Sequence, residues 1–272
     1  MSTAQVADCQ PAKCDVYWNE NPACEGKESF PSARRLSRFR LVLGYAASLL
    51  LAALLASPVR GEEPSAMNGG KQPFILLPEP RKNSDISVEE AIASRRTRRD
   101  FAPPGLTLAD LGQLLWAAQG ITGSDGFLRA APSGGALYPL DVYALIGREG
   151  VQGLEAGLYH YLPRRHGLAK TTGEDLRQPL SRACLQQMWM THAPVSLVVT
   201  AEYERIEKKY GARGQRYALM EAGHASQNIF LQAEALGLAA GIVGAFEDSQ
   251  VSSVLKLPAS HRPLIIMPVG RR

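Results

Sequence analysis

From Gln215 to Leu236 the chain reads QRYALMEAGHASQNIFLQAEAL, a proline-free run in which alanine recurs at positions 218, 222, 225, 233 and 235. Good helix formers dominate it, and small side chains let neighbouring backbones approach closely. The run predicts a long helix packed on all sides, as at the centre of a domain. A helix of that kind needs other layers around it, so the flanking sequence must supply them.

Two shorter helices precede it. SVEEAIASRR opens with Ser87 as N-cap and Glu90 three residues on, a capping box, and LTLADLGQLLWAAQG repeats the device with Thr107 and Asp110 before Gly120 stops it. Strands are expected over Asp141–Gly147, Gly157–Pro163, Pro194–Tyr203 and Arg262–Gly270, where β-branched and aromatic residues concentrate. Gly237–Phe246 reads as a strand or extended segment, and EDSQVSSVLKL as a short helix with Asp248 as its cap. Helices and strands interleave without regular βαβ units, which favours an α+β sheet with helices around it.

The N-terminal quarter reads as an address. Residues 41–57, LVLGYAASLLLAALLAS, carry no charge and follow Arg34, Arg35, Arg38 and Arg40. A basic flank and then an apolar run is the pattern of a signal peptide or a membrane anchor, and the length lies on the border between the two. ARRLSRF bears an incomplete resemblance to a twin-arginine export signal. The organisation expected is a basic segment over 1–40, the apolar segment over 41–57, a polar linker over 58–72 and one folded domain over 73–272. The protein would then be exported to the periplasm or held at the membrane. Cys9, Cys14 and Cys24 precede the apolar run and only Cys184 lies in the domain, so that core must hold by packing. The net charge of +4 is too mild, and too weakly clustered in the domain, for a nucleic-acid-binding protein.

Several familiar chemistries are missing their signatures. The glycines at 147, 150, 153 and 157 lie between two strands, unlike a dinucleotide fingerprint. GLAKTTG lacks the glycine before Lys170 that a P-loop needs, and APSGG has Ala131 where a nucleophile elbow requires glycine. Glu221 and His224 make one E-x-x-H, half of a di-iron site, with no second copy, so no metal is expected and His224 reads as an interior or interface residue.

Four stretches survive. SRRTRRDF follows the first capped helix and holds four arginines in five positions; APSGGALYPLDVY, YGARGQRYALMEAGHASQNIFLQAEALGLAAGIVGAFED and IIMPVG come after it. In this order they resemble the nitroreductase family, and within it the SagB-type branch that includes azoline dehydrogenases. The likeness spans about Ser84 to Arg272. It implies a bound FMN, a homodimer with two flavin sites at its interface, and a central, mostly antiparallel sheet flanked by helices.

The resemblance also assigns residues. Arg95, Arg96, Thr97 and Arg99 match the first flavin motif, where arginine forks and a hydroxyl suit a phosphate dianion. Pro132, Ser133, Gly134 and Gly135 match the loop that lies against the flavin, usually across the dimer interface. Gly244 and Ala245, in VGAF, match the segment whose amides reach flavin N5. Gln227 and Asn228 read as structural or interface polar residues. Many relatives hold the phosphate with a late basic pair, and here Arg271 is the candidate beside Arg272. Lys209 and Tyr210 resemble the pair that moves the proton in azoline dehydrogenases; the same letters also suit a surface helix start.

Three functions follow as expectations. The first is an FMN-dependent oxidoreductase, either oxidising a small or peptide-derived substrate or taking hydride from NAD(P)H to reduce nitroaromatics or quinones. The second is a protein that binds or cleaves flavin without redox turnover. The third is a basic membrane-associated binding module.

Overall fold

The computed structural model describes residues 74–124 and 126–272. The expected address segment 41–57 and its flanks, with the boundaries assigned to them, lie outside the described residues. Among the described residues no helix is long and apolar enough to cross a membrane.

Among the described residues seven strands form one sheet: β1 (Phe74–Leu76), β2 (Leu140–Ile146), β3 (Gly157–Leu162), β4 (Gly167–Thr172), β5 (Val195–Glu202), β6 (Leu238–Ala240) and β7 (His261–Arg271). Their order is β1-β4-β3-β2-β5-β7-β6, and every neighbouring pair is antiparallel. Six helices accompany them: α1 (Val88–Ser94), α2 (Leu108–Gln119), α3 (Arg177–Ala183), α4 (Glu204–Tyr210), α5 (Arg213–Ala235) and α6 (Asp248–Val254). The α+β fold with a central antiparallel sheet is therefore as the sequence implies.

Strand alternation sorts the core into layers. Val142, Ala144 and Ile146 of β2 share a cluster with Leu111, Leu114 and Leu115 of α2 and with Ile229 and Phe230 of α5. Tyr143 and Leu145, between them in sequence, pack instead with Leu180, Met190 and Val251 on the opposite face. Each fully buried leucine here contributes about 2 kcal/mol over its exposed state. Cys184 is buried in the second layer, and burial pushes its thiol up to about 12. It is an inert packing residue there.

Both expected capping boxes are present, at Ser87 with Glu90 and at Thr107 with Asp110. The segment 237–246 forms β6 and then continues as a loop in which Val243 bridges to Ile266, as expected. Two expectations need correction. The cap of α6 is Glu247, with no side-chain hydrogen bond, and Asp248 is already helical. Finally, α5 is not packed on all sides within one chain. Ala218, Ala222, Ala225, Ile229 and Ala233 face the core, while Leu219 and Met220 are 54% and 48% exposed and Gly223, His224 and Gln227 are exposed beside them. His224 is thus not an interior residue of the single chain. Strands β1 and β4 and helices α3 and α4 were not anticipated as elements.

Candidate functional site

Helix α1 ends where the arginine run begins. Arg95 leaves helical geometry at φ −54° and ψ 124°, and the chain then lies along the edge of the sheet. The Arg98 amide donates to the Ala240 carbonyl at 2.9 Å and the Ala102 amide to the Arg271 carbonyl at 3.0 Å. Main-chain bonds therefore fix the run, leaving its side chains to other uses. Arg95 lies over the Phe230 ring at 5.1 Å and Arg99 over the Trp189 ring at 5.5 Å. Arg96 turns back onto the carbonyls of Ala93 and Arg95. Among the described residues no carboxylate pairs with Arg95, Arg96, Arg98 or Arg99.

Thr97, Arg98, Arg99, Asp100 and Arg272 line an open pocket of ≈ 430 Å³ beside this run. Arg272 reaches it while donating to the Leu238 carbonyl and pairing with Glu234. Arg271 is engaged elsewhere. Its guanidinium meets Asp110 at 2.7 Å, the residue that completes the α2 capping box. Of the late basic pair, Arg272 is the one at the pocket.

The segment carrying Gly244 and Ala245 joins the same region through Gly241. A Cβ on Gly241 would fall 2.7 Å from the Trp189 ring and 3.0 Å from the Arg98 carbonyl. Gly244 itself has open space around its Cα, and the Ala245 carbonyl accepts from Gln187 Nε2 at 3.1 Å. Trp189 also stacks on Phe101 at 6.3 Å. It ties the run to this segment, and its distance in sequence from both hides that role.

Loop 132–135 lies in a second group. Ser133 Oγ accepts from the Tyr138 amide at 2.9 Å, and Gly135 takes φ +63°. A Cβ there would lie 2.6 Å from Tyr210 Oη and 3.0 Å from Lys209 Nζ, so the positive φ favours glycine and any side chain would have to displace the ends of Tyr210 and Lys209. The structure therefore brings Lys209 and Tyr210, the two proton-handling candidates, onto the loop. Tyr210 meets Tyr217 edge-on at 5.1 Å, and Tyr217 lies under Gly134. Lys209 is exposed and Tyr210 half-buried. Asn228 holds the approach to the loop, donating to the carbonyls of Ala117 and Ala130. Among the described residues no hydrogen bond, ion pair or ring contact joins this group to the arginine run.

A partly buried ionic network anchors α4, the helix that presents Lys209 and Tyr210. Arg205 pairs with Asp141 at 2.8 Å and with Glu202 at 2.6 Å. Asp141 also meets His160 Nε2 at 2.9 Å, and Tyr143 Oη meets His261 Nδ1 at 2.8 Å. Burial works to raise the Asp141 pKa, but the His160 hydrogen bond and the Arg205 charge outweigh it and hold the carboxyl below its usual range. Burial lowers the His261 pKa. Asp141, Glu202 and His261 offer ligand atoms within 4.8 Å of one another. Arg205 already sits on both carboxylates, so the cation that serves them is a guanidinium.

Comparison with known proteins bears on the same residues. A protein of Methanocaldococcus jannaschii, named as a candidate nitroreductase, is 41% identical over 188 residues, covering 69% of this chain and 92% of its own. The microcin B17-processing protein McbC of Escherichia coli is 31% identical over 198 residues, covering 68% of this chain and 72% of its own. A chain of the solved E. coli microcin synthetase McbBCD complex, with truncated pro-MccB17 bound, superposes with a TM-score of 0.57 at 25% identity, over 86% of this chain and 85% of that one. A solved protein of Ralstonia eutropha JMP134, described as a candidate nitroreductase, gives a TM-score of 0.63 at 29% identity over 79% and 97%. Residues 92–271 match the nitroreductase family, a span that begins just before the arginine run and takes in both groups of site residues, so this chain belongs to the nitroreductase family.

Proposed function

We propose that this chain is an FMN-dependent oxidoreductase of the SagB-type dehydrogenase branch, oxidising a small or peptide-derived substrate. One observation carries the reading: Lys209 Nζ and Tyr210 Oη lie against Gly135 of the 132–135 loop, where a proton lost from a substrate could be taken up.

The residues suit the cofactor. FMN ends in a phosphate dianion, and Arg99, Arg272 and Thr97 line a pocket with guanidinium and hydroxyl donors. When bound, FMN would accept hydride at N5. Arg95 and Arg96 add positive charge beside the pocket. Gly134 and Gly135 leave this stretch of backbone without side chains of its own, which suits the close approach of a flat ring. Lys209 and Tyr210 take and relay the substrate proton as the substrate is oxidised.

A homodimer belongs to the same reading. The arginine run and the 132–135 loop form separate groups on one chain, and the exposed Leu219–Met220 side of α5 offers an apolar surface to a second copy. The likeness to McbC, solved within McbBCD, favours a peptide-derived substrate delivered by a partner protein. An exported or membrane-anchored setting, as residues 41–57 suggest, is poor in NAD(P)H and favours substrate oxidation over nitroaromatic or quinone reduction.

The test is an anaerobic half-reaction on the purified protein, loaded with FMN. Bleaching of the flavin by an azoline-containing peptide, lost in Lys209→Ala with flavin retained, is the expected result. Bleaching by NADH or NADPH alone would favour the reductase. No FMN binding at all would sink the proposal.

A further inference from the structure

Helix α5 carries a carboxylate in an unusual setting. Glu221 is 1% exposed, and among the described residues neither of its oxygens makes a hydrogen bond of full geometry, although the Ser133 hydroxyl and the Gln119 amide lie near enough to favour its charged form. Three elements face it: Ser133 from the 132–135 loop, Gln119 from the end of α2, and Arg129 from the segment between them. Gln119 Nε2 and Arg129 Nε are themselves buried donors without partners. Arg129 is committed elsewhere, donating to Gln119 Oε1 at 2.9 Å and lying over the Tyr138 ring at 4.4 Å. The other charges acting on Arg129, Asp141 and Arg205, are paired with each other. One helical turn before Glu221, Tyr217 supports Gly134 and meets Tyr210.

A buried carboxylate without a partner is costly, whereas a buried carboxylic acid is far less so and can donate one hydrogen bond. We propose that Glu221 is the positioning residue of the 132–135 loop, and that the loop keeps its seat against Lys209 and Tyr210 only while the Glu221 carboxyl holds its proton. Proton loss creates a carboxylate that pulls on the Ser133 hydroxyl and on the idle donors of Arg129 and Gln119. Arg129 then turns to the carboxylate and leaves Tyr138, whose amide is bound to Ser133 Oγ. The displacement thus passes along residues 133–138. Burial sets the range: it pushes the Glu221 pKa up to about 7, with Ser133, Arg129 and Gln119 pulling the other way. Only the catalytic consequence of this device rests on the proposed role of Lys209 and Tyr210.

The experiment is backbone hydrogen exchange followed by mass spectrometry on the full chain, without flavin or substrate, from pH 6 to 8.5 and corrected for intrinsic rates. Exchange in a peptide covering 130–138 should rise by about tenfold or more as pH passes 7, and Glu221→Gln should stay at the slow rate throughout. A flat wild-type profile, or the same step in Glu221→Gln, overturns the proposal. If Glu221→Gln does not fold, infrared difference spectra of the wild type decide. One buried carboxylic acid must lose its proton over the same range, and its absence overturns the proposal. In the loaded enzyme kcat should fall across that range with KM unchanged. A protein that shows the exchange step yet binds no FMN would refute the flavin reading alone.

Discussion

Arg205 and Arg99 carry the same guanidinium in opposite settings. Arg205 serves two carboxylates at 2.8 and 2.6 Å and donates to the Tyr138 carbonyl. Arg99 has an indole face and an open pocket. The first is held between two carboxylates and fixes α4 to the sheet. Among the described residues the second has no carboxylate partner. The contrast separates a paired cation from an unpaired one better than charge density does, because both arginines lie in charged stretches of sequence.

The strongest way to break this contrast is to remove a carboxylate from the paired region. Asp141→Ala removes the carboxylate that Arg205 and His160 share, although Glu202 still faces Arg205, and should destabilise the fold by about 2–3 kcal/mol, measured by urea unfolding. The pH dependence has a definite sign. The Asp141 carboxyl is held below its ordinary value, so its contribution is present above the unfolded pKa of 3.8 and is lost as pH falls through the lower folded value. Wild type should therefore lose this stability in acid, and Asp141→Ala should lack that component.

Glu221 sharpens the contrast as a third case, a buried charge site with no committed partner. Burial pushes its folded pKa up to about 7, above the 4.5 of the unfolded chain, so folding takes up a proton between those values and stability falls as pH rises through that window. Glu221→Gln removes the penalty. At pH 8 it should exceed wild type by about 2–3 kcal/mol in urea unfolding, and the excess should vanish below pH 4.5. An equal difference at both pH values would refute the assignment.

At the unpaired end the expected effects are smaller and of another kind. Arg99→Ala should change folding stability by no more than about 0.5 kcal/mol. It should weaken FMN binding by about 2 kcal/mol, roughly thirtyfold in Kd by fluorescence titration. Loss of stability without loss of binding would place Arg99 with Arg205 and dissolve the comparison.

Sequence alone revealed the features governed by local rules. Ser87 and Thr107 announce their helices through capping boxes, and β2, β3, β5 and β7 through their β-branched and aromatic runs. The arginine run stands out in the sequence, but by itself it suits several uses, and only its order with the stretches that follow it points to a phosphate. Strand β4 is not, since GLAKTT lacks alternation and becomes a strand by pairing with β1 and β3. Helix α3 carries Pro179 in its first turn, where proline is tolerated but obscures the pattern. Arg271 and Arg272 are neighbours in sequence, yet side chains alternate along a strand, so they go to different partners. Sequence order does not reveal which of them reaches the pocket. Glu221, Arg129 and Gln119 come from separate stretches that only the folded topology assembles.

The main-chain fastening of the arginine run bears on how this site can change over time. The bonds from Arg98 to Ala240 and from Ala102 to Arg271 use only backbone atoms. A side-chain replacement in the run, short of proline at a donor, leaves those bonds in place. The edge of the sheet thus acts as a fixed socket with exchangeable contacts. Under the proposed reading, single substitutions there would retune the anion it prefers, by selection or by design, without first rebuilding the fold.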